Sequence, residues 1–203
     1  MEFSEVVRKR RMVREYDPDR PLPDGLLDRL IDTGLRAPSA GFTQGVSFLI
    51  LEDDQDRDRF WAATSDGDEP DSWLRGMRTA PALILVLTSA DAYLDRYALP
   101  DKGWTERSEE PWTAPYWHVD AGMAAMAVLY AIVDAELGGC FFGLPADTVE
   151  QVRSAFAIPA EQQVVGVISV GYRARTEAPS GSPRKRARRP RTDLVRRGRW
   201  TAD

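Results

Sequence analysis

Three stretches of the chain are apolar at nearly every position, 46–51, 82–87 and 164–172. They are short, rich in Leu, Ile and Val, and bounded by polar or proline-bearing segments, so each predicts a buried strand. Other stretches repeat at helical spacing. Leu26, Leu27, Leu30, Ile31 and Leu35 mark a helix over 25–35, with Asp24 as its N-cap behind the turn at Pro21 to Pro23. Residues 3–9 form a short amphipathic helix capped by Ser4, with Val6, Val7 and Met12 on its apolar side. Residues 53–63 read as a charged helix with Phe60 and Trp61 free to pack, and Pro145 begins another that runs to about Phe156. The longest helical pattern covers 117–137, and its middle, 121–129, is apolar nearly all round. Such a helix belongs in a core or at a subunit interface, and the interface is expected.

The remaining segments are loop-like. Residues 36–45 are rich in small residues, and 138–143 gives a helix stop followed by a short aromatic strand or turn. Residues 65–72 read as an exposed acidic loop. Residues 90–116 look irregular, with Tyr93, Tyr97, Trp104, Trp112 and Tyr116 among prolines and charges, which suits either a lid or an interface segment. There is no repeat. The pattern predicts one α+β domain over 1–175, helices covering a few-stranded sheet, and an arm over 176–203.

Composition narrows the chemistry. The single Cys140 excludes an intrachain disulfide and any multi-cysteine metal site, and the single His118 argues against a histidine-rich centre. An enzyme built from these residues would borrow its chemistry from a cofactor. No apolar run reaches the roughly 18 residues of a membrane span, and the N-terminus mixes charges without a signal region, so the chain reads as cytoplasmic. Net charge is −5, unevenly spread: residues 184–199 hold nine Lys and Arg against Asp193, leaving 18 basic against 31 acidic residues elsewhere. A basic arm on an acidic body suits an anionic ligand or docking on a partner, and a nucleic-acid tail is the competing explanation.

Arg10, Arg11 and Arg14 lie within five residues where the first helix runs out. Guanidinium forks match phosphate and carboxylate oxygens, so the cluster can converge on one anion. Its alternative reading is a solvated helix end.

In this order the pieces resemble the nitroreductase family of FMN-dependent oxidoreductases. The features that match are R-R-x-x-R at 10–14, A-P-S-A-G-x-x-Q at 37–44, the small-residue long helix, and G-G-x-x-x-G at 138–143. The strand at 164–172 after Ile158-Pro159, and a basic tail with R-R-P-x-x-D-L-V ahead of Trp200, match as well. The resemblance implies a nitroreductase-like α+β fold with a mixed or antiparallel central sheet, assembled as a homodimer with FMN at the subunit interface. It implies that Arg10, Arg11, Met12 and Arg14 hold the phosphate, ribityl or pyrimidine edge. Arg36, Pro38, Ser39 and Gln44 would lie beside the flavin, partly from the partner subunit. Phe141, Phe142, Gly143 and Leu144 would line one ring face, and Arg186 and Arg188 would reach the phosphate, which explains the basic arm without nucleic acid. Hydride would pass from NAD(P)H through FMN to a nitroaromatic, quinone or related conjugated acceptor in a ping-pong cycle, with no membrane or metal involved.

The chain departs from the family pattern at Phe42, where Asn is common, at Gly45-Val46, where Pro-Trp is common, and at Met12, where Ser is common. A bulky Phe42 and a missing hydroxyl at Met12 motivate an alternative, a flavin-sequestering protein with little turnover. Phe42 also resembles the flavin-cleaving dimethylbenzimidazole synthases, but their Asp at the Met12 position and their Ser beyond the aromatic turn are absent here.

Overall fold

The computed structural model of the protein describes residues 1–65, 69–104, 106–177 and 186–200. Its centre is a four-stranded sheet in the order β1-β2-β4-β3, with β1 at Val46–Leu51, β2 at Ala82–Thr88, β3 at Gly138–Phe142 and β4 at Gln163–Gly171. Every neighbouring pair is antiparallel. β2 is buried along its whole length, as a central strand covered on both faces must be.

Period-2 alternation divides the core in two. Leu83, Leu85, Leu87 and Val167 face one layer with Phe60, Trp61, Met77 and Val152. That layer is built by α3 (Asp54–Ala63), α4 (Ser72–Met77) and α7 (Val149–Ala155). Ala82, Ile84, Val86, Ile168 and Val170 face the other, with α2 (Leu26–Gly34) and α6 (Tyr116–Asp134). α1 (Phe3–Lys9) packs on α6, where Phe3 meets the Tyr130 ring edge-on at 5.5 Å.

α6 is long and apolar enough by composition to cross a membrane, yet half of that stretch is buried inside the molecule. One side rests on the sheet and α2. The other leaves Tyr116, Val119 and Met123 exposed, with Val7 and Phe3 of α1 exposed as well.

Several local expectations are corrected. Residues 90–97 form a helix, α5, capped by Ser89, whose Oγ accepts from the Ala92 amide at 3.3 Å. Burial of Ala90, Tyr93 and Leu94 on one stripe supports it, a pattern the surrounding aromatics and prolines concealed. α4 starts inside the expected acidic loop, where the Asp71 carboxylate accepts from the Leu74 amide at 2.7 Å. Asp24 and Ser4 do not cap: α2 opens on Gly25 at φ 65°, and α1 opens on Glu2 without a side-chain cap.

α4 is wedged against the N-terminal segment. A Cβ at Gly76 would lie 2.3 Å from the Arg14 carbonyl oxygen, a backbone atom with no room to retreat. Gly76→Ala is therefore expected to destabilise the fold by about 1–3 kcal/mol, read as a lower urea midpoint with an unchanged slope.

Candidate functional site

After α1 the chain leaves helical geometry at Arg10 and is pinned in extended form. Met12 bridges Gly139 in parallel, the Val13 amide donates to the Gly139 carbonyl at 3.0 Å, and Tyr16 bridges Arg173 antiparallel. Tyr16 locks the segment from inside: its hydroxyl donates to the Val13 carbonyl at 2.7 Å and lies 2.6 Å from Ser169 Oγ. Burial pushes that phenol well above its ordinary pKa, so it stays protonated.

The three arginines differ in their surroundings. Arg11, with Val13, Lys9, Leu137 and Arg173, lines a cavity of about 290 Å³ that Arg10 and Arg14 do not border. Arg10 is half-buried, and its Nη1 is enclosed without a hydrogen-bond partner among the described residues. Arg14 Nη1 donates to the Met12 carbonyl at 3.1 Å, and the Arg14 amide donates to Glu177 at 2.8 Å. Met12 is half-buried, and its Sδ accepts from the Phe141 amide at 3.4 Å, which ties the arginine segment to β3.

Within the aromatic turn the two phenyl rings separate. Phe141 packs on the α2/α6 side, covering Gly166, where a Cβ would lie 2.4 Å from the ring. Phe142 points to the α3/α4 side, stacked on Trp61 at 6.1 Å and met edge-on by Trp73 at 5.6 Å. A planar ligand on this turn therefore meets backbone and at most one of the rings. Gly143 is exposed, with nothing within 4 Å of where a Cβ would sit, and Leu144 is half-buried against the α3/α4 layer.

The loop at 36–45 is more tightly shaped than its small residues suggested. Around the 3-10 turn Ala40–Phe42 the backbone is left-handed at Gly41 (φ 62°), Phe42 (φ 55°) and Gln44 (φ 55°). Ser39 Oγ accepts from the Gln44 amide at 2.9 Å, and Thr43 Oγ1 donates to the Ala40 carbonyl at 2.6 Å. Asp120 of α6 accepts from the Ala40 amide at 2.7 Å and from the Tyr93 hydroxyl at 2.8 Å, while Arg96 Nε donates to the Gly41 carbonyl at 3.0 Å. Asp120, Tyr93 and Arg96 were not expected from sequence. The one usable signal was an acid, Asp120, directly ahead of the all-apolar stretch of the most apolar helix. Arg36, Pro38, Phe42 and Gln44 are exposed, Phe42 to 76%.

The loop and the arginines sit at opposite ends of α6. Arg11 shares a cavity with Met1, Val133 and Leu137 beside the end of that helix; the loop is tied to Asp120, whereas the N-terminal amine of Met1 pairs with Asp134 at 2.6 Å. Those residues are fourteen positions apart on one helix, about 21 Å at 1.5 Å per residue.

Past β4 the chain runs beside Arg14 to Tyr16. The Ala174 amide donates to the Glu15 carbonyl at 3.0 Å, and Glu177 pairs with Arg173 at 2.5 Å. Arg186 and Arg188 are exposed, without a hydrogen bond or ion pair among the described residues, and Arg184 and Lys185 lie outside the described residues. Cys140 is buried, and desolvation raises its thiol pKa, which disfavours a reactive thiolate. His118 is exposed at the start of α6 with its ring 6.1 Å from Trp117. Trp104 and Trp112 join Tyr97 in a packed aromatic cluster, with centroids 4.5–5.1 Å apart.

The comparisons with known proteins follow this outline. A curated protein of Methanothermobacter thermautotrophicus, named as a candidate NADH dehydrogenase/NAD(P)H nitroreductase, is 24% identical over 176 residues, covering 86% of this chain and 78% of its own. A candidate nitroreductase of Exiguobacterium sibiricum, solved in complex with FMN, superposes with a TM-score of 0.76 at 18% identity, covering 99% of this chain and 98% of its own. Another from Desulfovibrio desulfuricans, also in complex with FMN, gives 0.71 at 23% identity and 99% coverage of both chains. These solved structures establish the likeness of fold. The model of the nitroreductase family matches residues 7–172, and the chain belongs to that family.

Proposed function

We propose that the protein is an FMN-dependent NAD(P)H oxidoreductase, working as a homodimer whose two sites each draw on both chains. The observation that carries this reading is the division of the candidate site along α6. The arginine segment is pinned just past the end of α6, where Met12 bridges Gly139 and Arg11 shares a cavity with Val133 and Leu137, while the loop of Ser39 and Gln44 is tied near the start of α6 through Asp120. A two-fold partner with its α6 antiparallel would bring its loop to the first chain's arginines. The exposed stripe of Tyr116, Val119 and Met123 is an apolar surface suited to that pairing.

The residues present fit FMN. Arg10 holds a buried, unpartnered guanidinium nitrogen suited to a phosphate oxygen. The exposed Gly143 leaves backbone open to close approach by a planar ring. The Arg14 guanidinium, anchored on Met12, brings positive charge beside the aromatic turn and would favour a reduced, anionic ring. When bound, FMN supplies the two-electron redox chemistry. Arg186 lies nine residues beyond Glu177, a span of up to about 30 Å when extended, so the arm has the length to bring Arg186 and Arg188 to a phosphate on the partner. The acceptor class is a nitroaromatic, a quinone or a related conjugated molecule, and the setting is the cytoplasm, where NAD(P)H is held.

Purified protein mixed with FMN and desalted is expected to stay yellow, to bleach anaerobically with NADH or NADPH, and to recover its colour when 1,4-benzoquinone or a nitroaromatic is added. Protein that emerges colourless, or bleaches with neither nicotinamide, overturns the reading.

A further inference from the structure

We propose that Asp120 is a positioning residue that holds the loop of Ala40 to Gln44 in the shape that the partner chain's flavin site requires. This rests on the flavin reading above. Asp120 is 2% exposed, and every other buried residue of its helix is apolar, from Trp117 and Ala121 to Val133. Burying a carboxylate there is costly, and the cost is met only where strong donors compensate it. Its Oδ2 takes two of them, the Ala40 amide at 2.7 Å and the Tyr93 hydroxyl at 2.8 Å. Tyr93 is itself fully buried on α5. An ordinary backbone amide needs only a neutral acceptor, whereas a carboxylate makes a charge-assisted and stronger hydrogen bond.

What this bond holds is strained. Left-handed backbone suits glycine but disfavours Phe42 and Gln44, and such residues persist only where their surroundings over-determine them. The surroundings do so from each side. Asp120 fixes the Ala40 amide, and Arg96, itself paired twice with Asp101 at 2.7 Å, fixes the Gly41 carbonyl. The Tyr97 ring leaves only 2.7 Å where a Gly41 Cβ would stand, and Ser39 fixes the Gln44 amide. Against this clamped background Phe42 projects 76% exposed among the described residues. A loop so firmly built yet tipped with a bare phenyl ring is shaped for something outside the protomer. The arginines of its own chain lie at the far end of α6, so the site it serves is the partner's.

The test compares Tyr93→Phe, Asp120→Asn and Asp120→Ala with the wild-type protein. Four readouts are needed: melting temperature without flavin, FMN affinity by fluorescence quenching, hydrogen exchange over residues 39–44, and kcat and KM with 1,4-benzoquinone. Tyr93→Phe removes one hydroxyl and leaves the ring packed. It is expected to lower Tm by about 2–4 °C, to weaken FMN binding about tenfold, and to speed exchange in the loop beyond the rest of the fold. Asp120→Asn, which keeps an acceptor, is expected to lose less FMN affinity than Asp120→Ala. A purely structural role would lower Tm and leave FMN affinity and KM for the quinone unchanged. Wild-type protein that binds FMN, with Tyr93→Phe and Asp120→Asn binding it within twofold, overturns the assignment. Should Asp120→Ala fail to fold, those two variants decide. Wild-type protein that binds no FMN sinks the flavin reading instead, a separate result.

Discussion

Met123→Asp is expected to turn the protein into a monomer of 22.7 kDa that no longer retains FMN. Met123 sits midway along the outer face of α6, 39% exposed, in line with Val119 and Tyr116. A carboxylate there is solvated in a lone protomer, so the fold should survive. In an isologous pairing it would be buried twice against apolar side chains, and the two copies would repel each other near the axis. Uncompensated charge in such a place costs several kcal/mol per copy, enough to dissociate the dimer at micromolar concentrations. Loss of FMN should follow, because each protomer would keep only one end of the site. Analytical ultracentrifugation with and without FMN, beside circular dichroism for fold, checks both halves. A Met123→Asp protein that remains a yellow dimer would refute the pairing through α6.

Arg10→Ala is expected to raise the FMN dissociation constant about a hundredfold, with Arg11→Ala changing it less than about threefold. The contrast follows from placement. Arg10 offers a nitrogen enclosed without a partner. Arg11 lines a separate cavity with Val13 and Leu137. A guanidinium pairing with a phosphate makes two parallel charge-assisted bonds, which a lysine replaces as a point charge only, so Arg10→Lys should recover part of the loss. Titration at fixed ionic strength measures all three. Equal losses at Arg10 and Arg11 would restore the picture of a single converging cluster.

The contrast also shows what sequence can carry. The nearly all-apolar runs at 46–51, 82–87 and 164–172 became β1, β2 and β4, most plainly at β2, where a strand covered on both faces has no polar alternation to obscure it. The all-round apolarity of α6 was equally legible, since one face lies on the sheet and the other stays greasy and exposed. Three arginines in five residues, by contrast, gave no sign that the backbone there is pinned at Gly139 and Arg173 or that Arg11 lines a cavity Arg10 and Arg14 do not border. α5 was hidden because Tyr93 and Tyr97 resemble loop aromatics when their buried stripe is unknown. Asp120 was legible only as an oddity. Its partners, the Ala40 amide and Tyr93, are 80 and 27 positions away, and no local pattern records such contacts.

Distance along α6 has a genetic consequence. If each pocket is assembled from the arginine end of one subunit and the loop end of the other, two defective alleles can repair one another. In a mixed dimer, one chain carrying Arg10→Ala and the other a disabled loop would concentrate both lesions in one pocket and leave the second wholly wild-type. Co-expression of two inactive variants should then restore activity to about half that of the intact protein per mixed dimer, an interallelic complementation that separate, self-contained protomers could not show.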